Sequence, residues 1–95
     1  MQFDLVIKNV RLARPNQDST DLTDIAIKDE KFALIDTDIP TTDAAQVIEG
    51  NNLLAFPGLV DTHMHVGIYS PLAEDAVTES KAAAMGGVTS AITYF

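Results

Sequence analysis

Cysteine and tryptophan are both absent from this 95-residue chain. Without cysteine there can be no disulfide and no thiolate metal site, so any bound metal must use nitrogen and oxygen donors. Basic residues are scarce: Lys and Arg together number 6 against 14 Asp and Glu, a net charge of -8. Lys8, Arg11, Arg14, Lys28, Lys31 and Lys81 form no dense patch. A nucleic-acid partner is therefore not expected, because phosphate binding relies on clustered cations that release counterions. The acidity reads as ordinary solubility. No apolar run approaches the roughly 18 residues of a membrane span, so no membrane partner is expected either. The opening Met1-Gln2-Phe3-Asp4 lacks the basic segment of a secretory leader, and a cytoplasmic location is the default.

Apolar residues make up 46% of the chain, enough to bury a core. The length allows one small domain or part of a larger one. The first half reads as short strands. Phe3, Leu5 and Ile7 alternate with Asp4, Val6 and Lys8, which predicts one apolar face. Asn9 breaks that parity, and Val10 to Ala13 can return as a second short strand. Arg14 to Thr23 is a polar loop. Asp24 to Lys28 and Lys31 to Ile35 flank Asp29-Glu30 as a hairpin. That turn lacks the glycine a primed turn prefers, leaving a type I turn or a longer loop open. Gln46 to Glu49 and Leu53 to Phe56 are further strand candidates around the turn Gly50-Asn51-Asn52.

The pattern changes at Pro57-Gly58. Leu59 and Val60 begin an apolar run of the kind found in strands buried on both faces. Ser70-Pro71 predicts a helix start, with Ser as cap and Pro first in the helix, although Asp75 could open its regular part. Ala73, Ala76, Val77, Ser80 and Ala84 form a small-residue stripe that would let the helix lie close to a sheet. Gly86-Gly87 stops the helix, and Val88 to Phe95 is a β-branched and aromatic strand. Strand, helix and strand make a βαβ unit with parallel strands and a right-handed crossover. Met64 and Met85 read as core filler, Tyr69 as a surface or core-packing residue that could otherwise face the histidines, and Glu74 and Glu79 as solvated helix positions.

The chain's two histidines, His63 and His65, end the strand that starts at Leu59. Residues i and i+2 of a strand share a face, so the imidazoles point the same way, about 7 Å apart along the backbone. Rings so placed can close on one metal ion at roughly 2.0–2.1 Å per bond. A histidine pair held by ordinary hydrogen bonds is the competing reading. The pair sits at the C-terminal end of a strand entering a βαβ unit, where α/β sheets and barrels carry their chemistry. Asp61 shares the face and could orient an imidazole; it could equally cap the loop.

The stretch Phe56-Pro57-Gly58-Leu59-Val60-Asp61-Thr62-His63-Met64-His65-Val66-Gly67 resembles the amidohydrolase superfamily, in its cyclic-amide hydrolase branch of hydantoinase, dihydropyrimidinase, allantoinase and dihydroorotase-like enzymes. Asp4 to Asn9 is similar to the family's opening strand, Asp24 to Ile35 to its hairpin, and Glu79 to Thr89 to its first barrel helix and second strand. The resemblance covers nearly the whole chain in the right order. It implies an α/β fold: N-terminal β-sandwich strands over residues 1–55, then from residue 56 the first βαβ unit of a metal-dependent (β/α)8 barrel. It implies that His63 and His65 ligate zinc in a binuclear site, with Asp61 behind them. It further implies hydrolysis of a C–N bond in a small cyclic amide or imide by metal-bound hydroxide, and a homo-oligomer. Dihydroorotases place an Arg two residues after the second His; Gly67 stands there, which favours a hydantoinase-like relative.

A whole barrel takes about 250 residues, and here at most two of its eight strands fit. The family's bridging lysine, further histidines and catalytic aspartate would lie beyond residue 95. The expectation is an N-terminal piece of a longer hydrolase that is inactive alone, needs the C-terminal barrel as partner, and self-associates through exposed edges. A non-catalytic interaction module or a purely structural β fragment is the alternative.

Overall fold

The computed structural model describes residues 2–94; Phe95, expected at the end of the last strand, lies outside the described residues. The chain divides into two compact units, Met1–Phe56 and Pro57–Phe95. The elements run β1 (Phe3–Leu12), β2 (Asp21–Lys28), β3 (Lys31–Asp36), a 3-10 turn (Thr41–Asp43), β4 (Ala44–Glu49), β5 (Leu54–Ala55), β6 (Leu59–His65), α1 (Leu72–Met85) and β7 (Val88–Tyr94). The helix is not long and apolar enough to cross a membrane.

The first unit is one mixed sheet in the order β3-β2-β1-β4, with β5 also pairing β1. β1–β2 and β2–β3 are antiparallel, whereas β4 and β5 run parallel to β1. The two short strands expected at Phe3 to Lys8 and Val10 to Ala13 are a single strand, β1, with a bulge. Its register shifts between Ile7 and Val10, and Asn9 sits at φ 57. The extra residue reverses the side-chain parity, so Val10 and Leu12 join the cluster with Ile7, Ile25 and Ile27. The expected single apolar face is also revised. Val6, 0% exposed, is the most buried residue of β1 and packs with Phe3, Ala26, Ile39 and Ala44. Val6 and Ile7 are successive, so the sheet buries apolar side chains on both faces there. Ile39, from a segment read as plain loop, covers the Val6 side at 2% exposure.

A polar clasp fixes that cover. Asp24 is 3% exposed. Its Oδ2 accepts from Lys8 Nζ at 2.6 Å and from the Ile39 N–H at 2.9 Å, and its Oδ1 from the Asn9 N–H at 2.8 Å. Burial pushes this carboxyl up, but the Lys8 ammonium and the two backbone donors outweigh it and hold it below the ordinary value.

The Asp29-Glu30 hairpin forms, with both central residues at positive φ, 52 and 64. That is the sign pattern of a type I′ turn, which matches strand twist, rather than the type I turn or longer loop left open. The Asp29 N–H is tied to Asp4 Oδ2 at 2.8 Å, and this bond leads the effects holding the Asp4 carboxyl low. Beyond β4, the chain steps around the Asn9 bulge: the Gly50 N–H donates to Lys8 O at 2.6 Å and the Asn52 N–H to Asn9 O at 2.8 Å. A Cβ at Gly50 would strike the Val10 side chain and lie 2.9 Å from Asn9 O, so only glycine fits.

The second unit is a βαβ element: β6 and β7 pair in parallel with α1 between them. The helix begins at Leu72, with Pro71 as its cap residue and no side-chain cap bond, so neither the Ser70 cap nor Pro71 inside the helix is realised. Glycine ends it as expected: the Gly86 N–H reaches Ala82 O and Ala83 O, and Gly87 takes φ 90. Ser80, Ala83 and Ala84 face Met64 and Val88 to Ala91 across an open groove. Leu59 and Val60 are exposed rather than buried on both faces, because one helix and two strands cannot cover both sides. Met85, expected in a core, is 91% exposed at the helix end, and Tyr69 is also at the surface.

Candidate metal site

β6 begins where Gly58 lies against β7. A Cβ at Gly58 would overlap the Thr89 side chain, with Thr89 Cβ only 2.7 Å away. Threonine is stiff at χ1 and cannot swing aside, so glycine permits this approach. The Leu59 N–H then donates to Gly87 O at 2.9 Å, and pairing runs from Leu59↔Val88 to His65↔Tyr94. The register shifts between Asp61 and Met64, a bulge that contains His63 and lies just before His65.

Both histidines are exposed. Their Nε2 atoms stand 3.0 Å apart, with ring centroids at 4.8 Å and planes inclined by 69°. The rings thus converge from one side of the strand. Two nitrogens on one tetrahedral ion, each at about 2.0–2.1 Å, stand roughly 3.3 Å apart. The observed separation is near that value, and it also suits an N–H···N bond between two imidazoles of complementary tautomer. The donor set fits a zinc-type ion in part: two imidazole nitrogens point to one place, whereas a catalytic zinc takes about three protein ligands. Among the described residues no group of three or more His, Cys, Asp or Glu side chains is arranged to hold a metal.

Asp61 Oδ1 accepts the His63 backbone N–H at 3.0 Å. This is a local carboxylate-to-backbone bond, which braces the bulge that carries His63. Beyond His65 the chain is held by two bonds with no clear signal in the sequence. The Val66 N–H donates to Thr93 Oγ1 at 3.1 Å, and the Gly67 N–H to Asp75 Oδ2 at 3.0 Å. Gly67 takes φ 81, a conformation that suits glycine. The Tyr69 ring lies 6.3 Å from that of His65, centroid to centroid.

No model of a known protein family matches the chain. Individual relatives do. Allantoinase of Escherichia coli O1:K1 / APEC is 39% identical over 93 residues, covering 97% of this chain and 20% of the relative. Allantoinase of E. coli O139:H28 (strain E24377A / ETEC) is 38% identical over the same share. The solved structure of L-hydantoinase (dihydropyrimidinase) from Arthrobacter aurescens superposes with a TM-score of 0.82 at 34% identity, over 96% of this chain and 20% of that one. A D-hydantoinase structure gives a TM-score of 0.79 at 30% identity, over 93% and 19%. The chain spans about a fifth of the length of these relatives. By sequence and by fold, it corresponds to the N-terminal portion of an amidohydrolase.

Proposed function

We propose that this chain supplies the first two metal ligands, His63 and His65, of a metal-dependent hydrolase of small cyclic amides, and that it is inactive without the remainder of a (β/α)8 barrel. The observation that carries the reading is the 3.0 Å approach of the two Nε2 atoms at the C-terminal end of β6. It occurs in a chain whose relatives are allantoinases and hydantoinases. In this reading residues 1–55 form the sandwich portion and residues 56–95 open the barrel. Zinc, in a binuclear site completed by later strands, would lower the pKa of its bound water toward about 7 and polarise the ring carbonyl. The chain's own part is narrower. The two imidazoles present their Nε2 atoms side by side, and Asp61 holds the strand end through the His63 N–H. A cytoplasmic, homo-oligomeric enzyme that binds neither nucleic acid nor membranes belongs to the same proposal.

A second reading keeps the pair as a hydrogen-bonded couple in a non-catalytic or purely structural fragment. The observation favouring it is the missing third ligand among the described residues. Complementation separates the two. The chain is mixed with an E. coli allantoinase lacking its own first fifth, zinc is added, and ring opening of allantoin and hydantoin is followed. Ring opening is expected with the unaltered chain, and a loss of about a hundredfold or more with His63→Ala or His65→Ala. Activity indifferent to both substitutions would refute the ligand assignment.

A further inference from the structure

We infer that Thr93 and Asp75 are positioning residues for the His63/His65 pair, acting through the backbone that follows His65; the inference rests on the reading of that pair as metal ligands. Among the described residues, pairing of β6 with β7 extends to His65↔Tyr94. The N–H groups of Val66 and Gly67, which follow, are met by half-buried side chains from different elements. Thr93 of β7 takes the Val66 N–H at 3.1 Å, and Asp75, in the first turn of α1, takes the Gly67 N–H at 3.0 Å. With Asp61 Oδ1 on the His63 N–H, the backbone is gripped by side-chain oxygens on both sides of the two rings.

The geometry explains why such a grip matters. A ring's direction follows the Cα–Cβ vector, and that vector follows the backbone torsions beside it. The register shift between Asp61 and Met64 frees the end of β6 from strict pleat alternation, so the ladder alone does not fix where the two rings point. Gly67, at φ 81, allows the chain to leave the strand abruptly, and its torsional freedom would blur the position of His65 unless the neighbouring amides were anchored. Outer groups that orient ligands change metal affinity by about 10–100-fold when removed.

The test uses the chain itself, with Thr93→Val as the near-isosteric loss of the acceptor and Thr93→Ser as its rescue. Asp75→Ala and Asp75→Asn form the second pair, since Asn keeps an acceptor oxygen. Amide hydrogen exchange of Val66 and Gly67 and the 1H–15N ring signals of both histidines are recorded without metal. Co2+ is then titrated by its visible absorption. In Thr93→Val the Val66 amide should exchange about tenfold faster or more, the histidine signals should move, and Co2+ should bind about tenfold more weakly. Thr93→Ser should restore all three while β1–β2 amides stay unchanged throughout. Asp75→Ala should do the same to Gly67, with Asp75→Asn restoring most of the effect. Unmoved ring signals and unmoved amides in Thr93→Val and Asp75→Ala overturn the inference. If the unaltered chain binds no Co2+ while its ring signals still respond to the substitutions, the positioning role stands and the metal reading fails.

Discussion

Among single residues, Asp24 makes the largest demand on the fold. Three donors converge on its nearly buried carboxylate, and one of them, Lys8 Nζ, also donates to Ile39 O at 2.9 Å. Replacing Asp24 by Ala leaves an ammonium and two N–H groups without their acceptor. Because Lys8 keeps 18% of its side chain exposed and can still reach water, the expected loss is about 2–4 kcal/mol rather than the full cost of a deeply buried pair. Acid should act through the same group. Its folded pKa is depressed, so its stabilisation is complete above the unfolded value of about 3.9 and disappears as pH falls through the folded one. Urea unfolding at neutral pH and at a series of values below 4 should show Asp24→Asn less stable at neutral pH. Its stability should also depend less on pH in the acid range. Asp4 keeps some of that dependence, since it too is held low. A variant with the same acid slope as the original chain would count against this account. The nearness of the two histidines was legible in advance from their i, i+2 spacing, whereas the bulge that carries His63 was not. The Asp24 clasp was not, because its partners come from positions 15 and 16 residues away.

For the elements, local chemistry fixed more than pairing partners did. The β2–β3 hairpin follows from two β-prone runs and a two-residue gap, and the helix stop follows from Gly86-Gly87. The start of β2 does not: Asp21 to Thr23, read as the end of a polar loop, belong to the strand because they pair with Val10 to Leu12 beyond the bulge. The parallel placement of β4 and β5 on β1 was not readable, because nothing in Ala44 to Ala55 reveals which strand receives it. Nor was the helix cap: the backbone of Pro71, not the Ser70 side chain, starts α1, while Asp75 spends its carboxylate on Gly67. The hairpin turn offers a direct check. Asp29 tolerates positive φ through its short polar side chain, but Glu30 at φ 64 has no such compensation. Glu30→Gly should therefore stabilise the first unit by about 0.5–1 kcal/mol, after allowing for the greater freedom of glycine in the unfolded chain. The urea midpoint should rise. A fall would mean the turn does not hold both residues at positive φ.

Across the whole molecule, burial is distributed unevenly. Every buried residue among those described, from Phe3 and Val6 to Ile39, Ala44 and Gly50, lies in the first unit, while the second exposes Leu59, Val60, Val77, Met85 and Ile92. Local stability tracks buried apolar contact, since an opening that uncovers little surface costs little. The sheet of the first unit is also tied by the Asp24 clasp and by a ladder shared among five strands. β6 and β7 form a two-stranded pair with a single helix, near the lower limit of what holds without further cover. Native-state hydrogen exchange on the isolated chain should consequently separate the units. Amides of β1 and β2 should be protected at least about a hundredfold more than those of β6 and β7. A dye that fluoresces on apolar surface should bind the chain, and binding should fall when Leu59 and Val60 are replaced by Thr. Equal protection in both units would show that the βαβ element is stabilised by something other than the contacts seen within it.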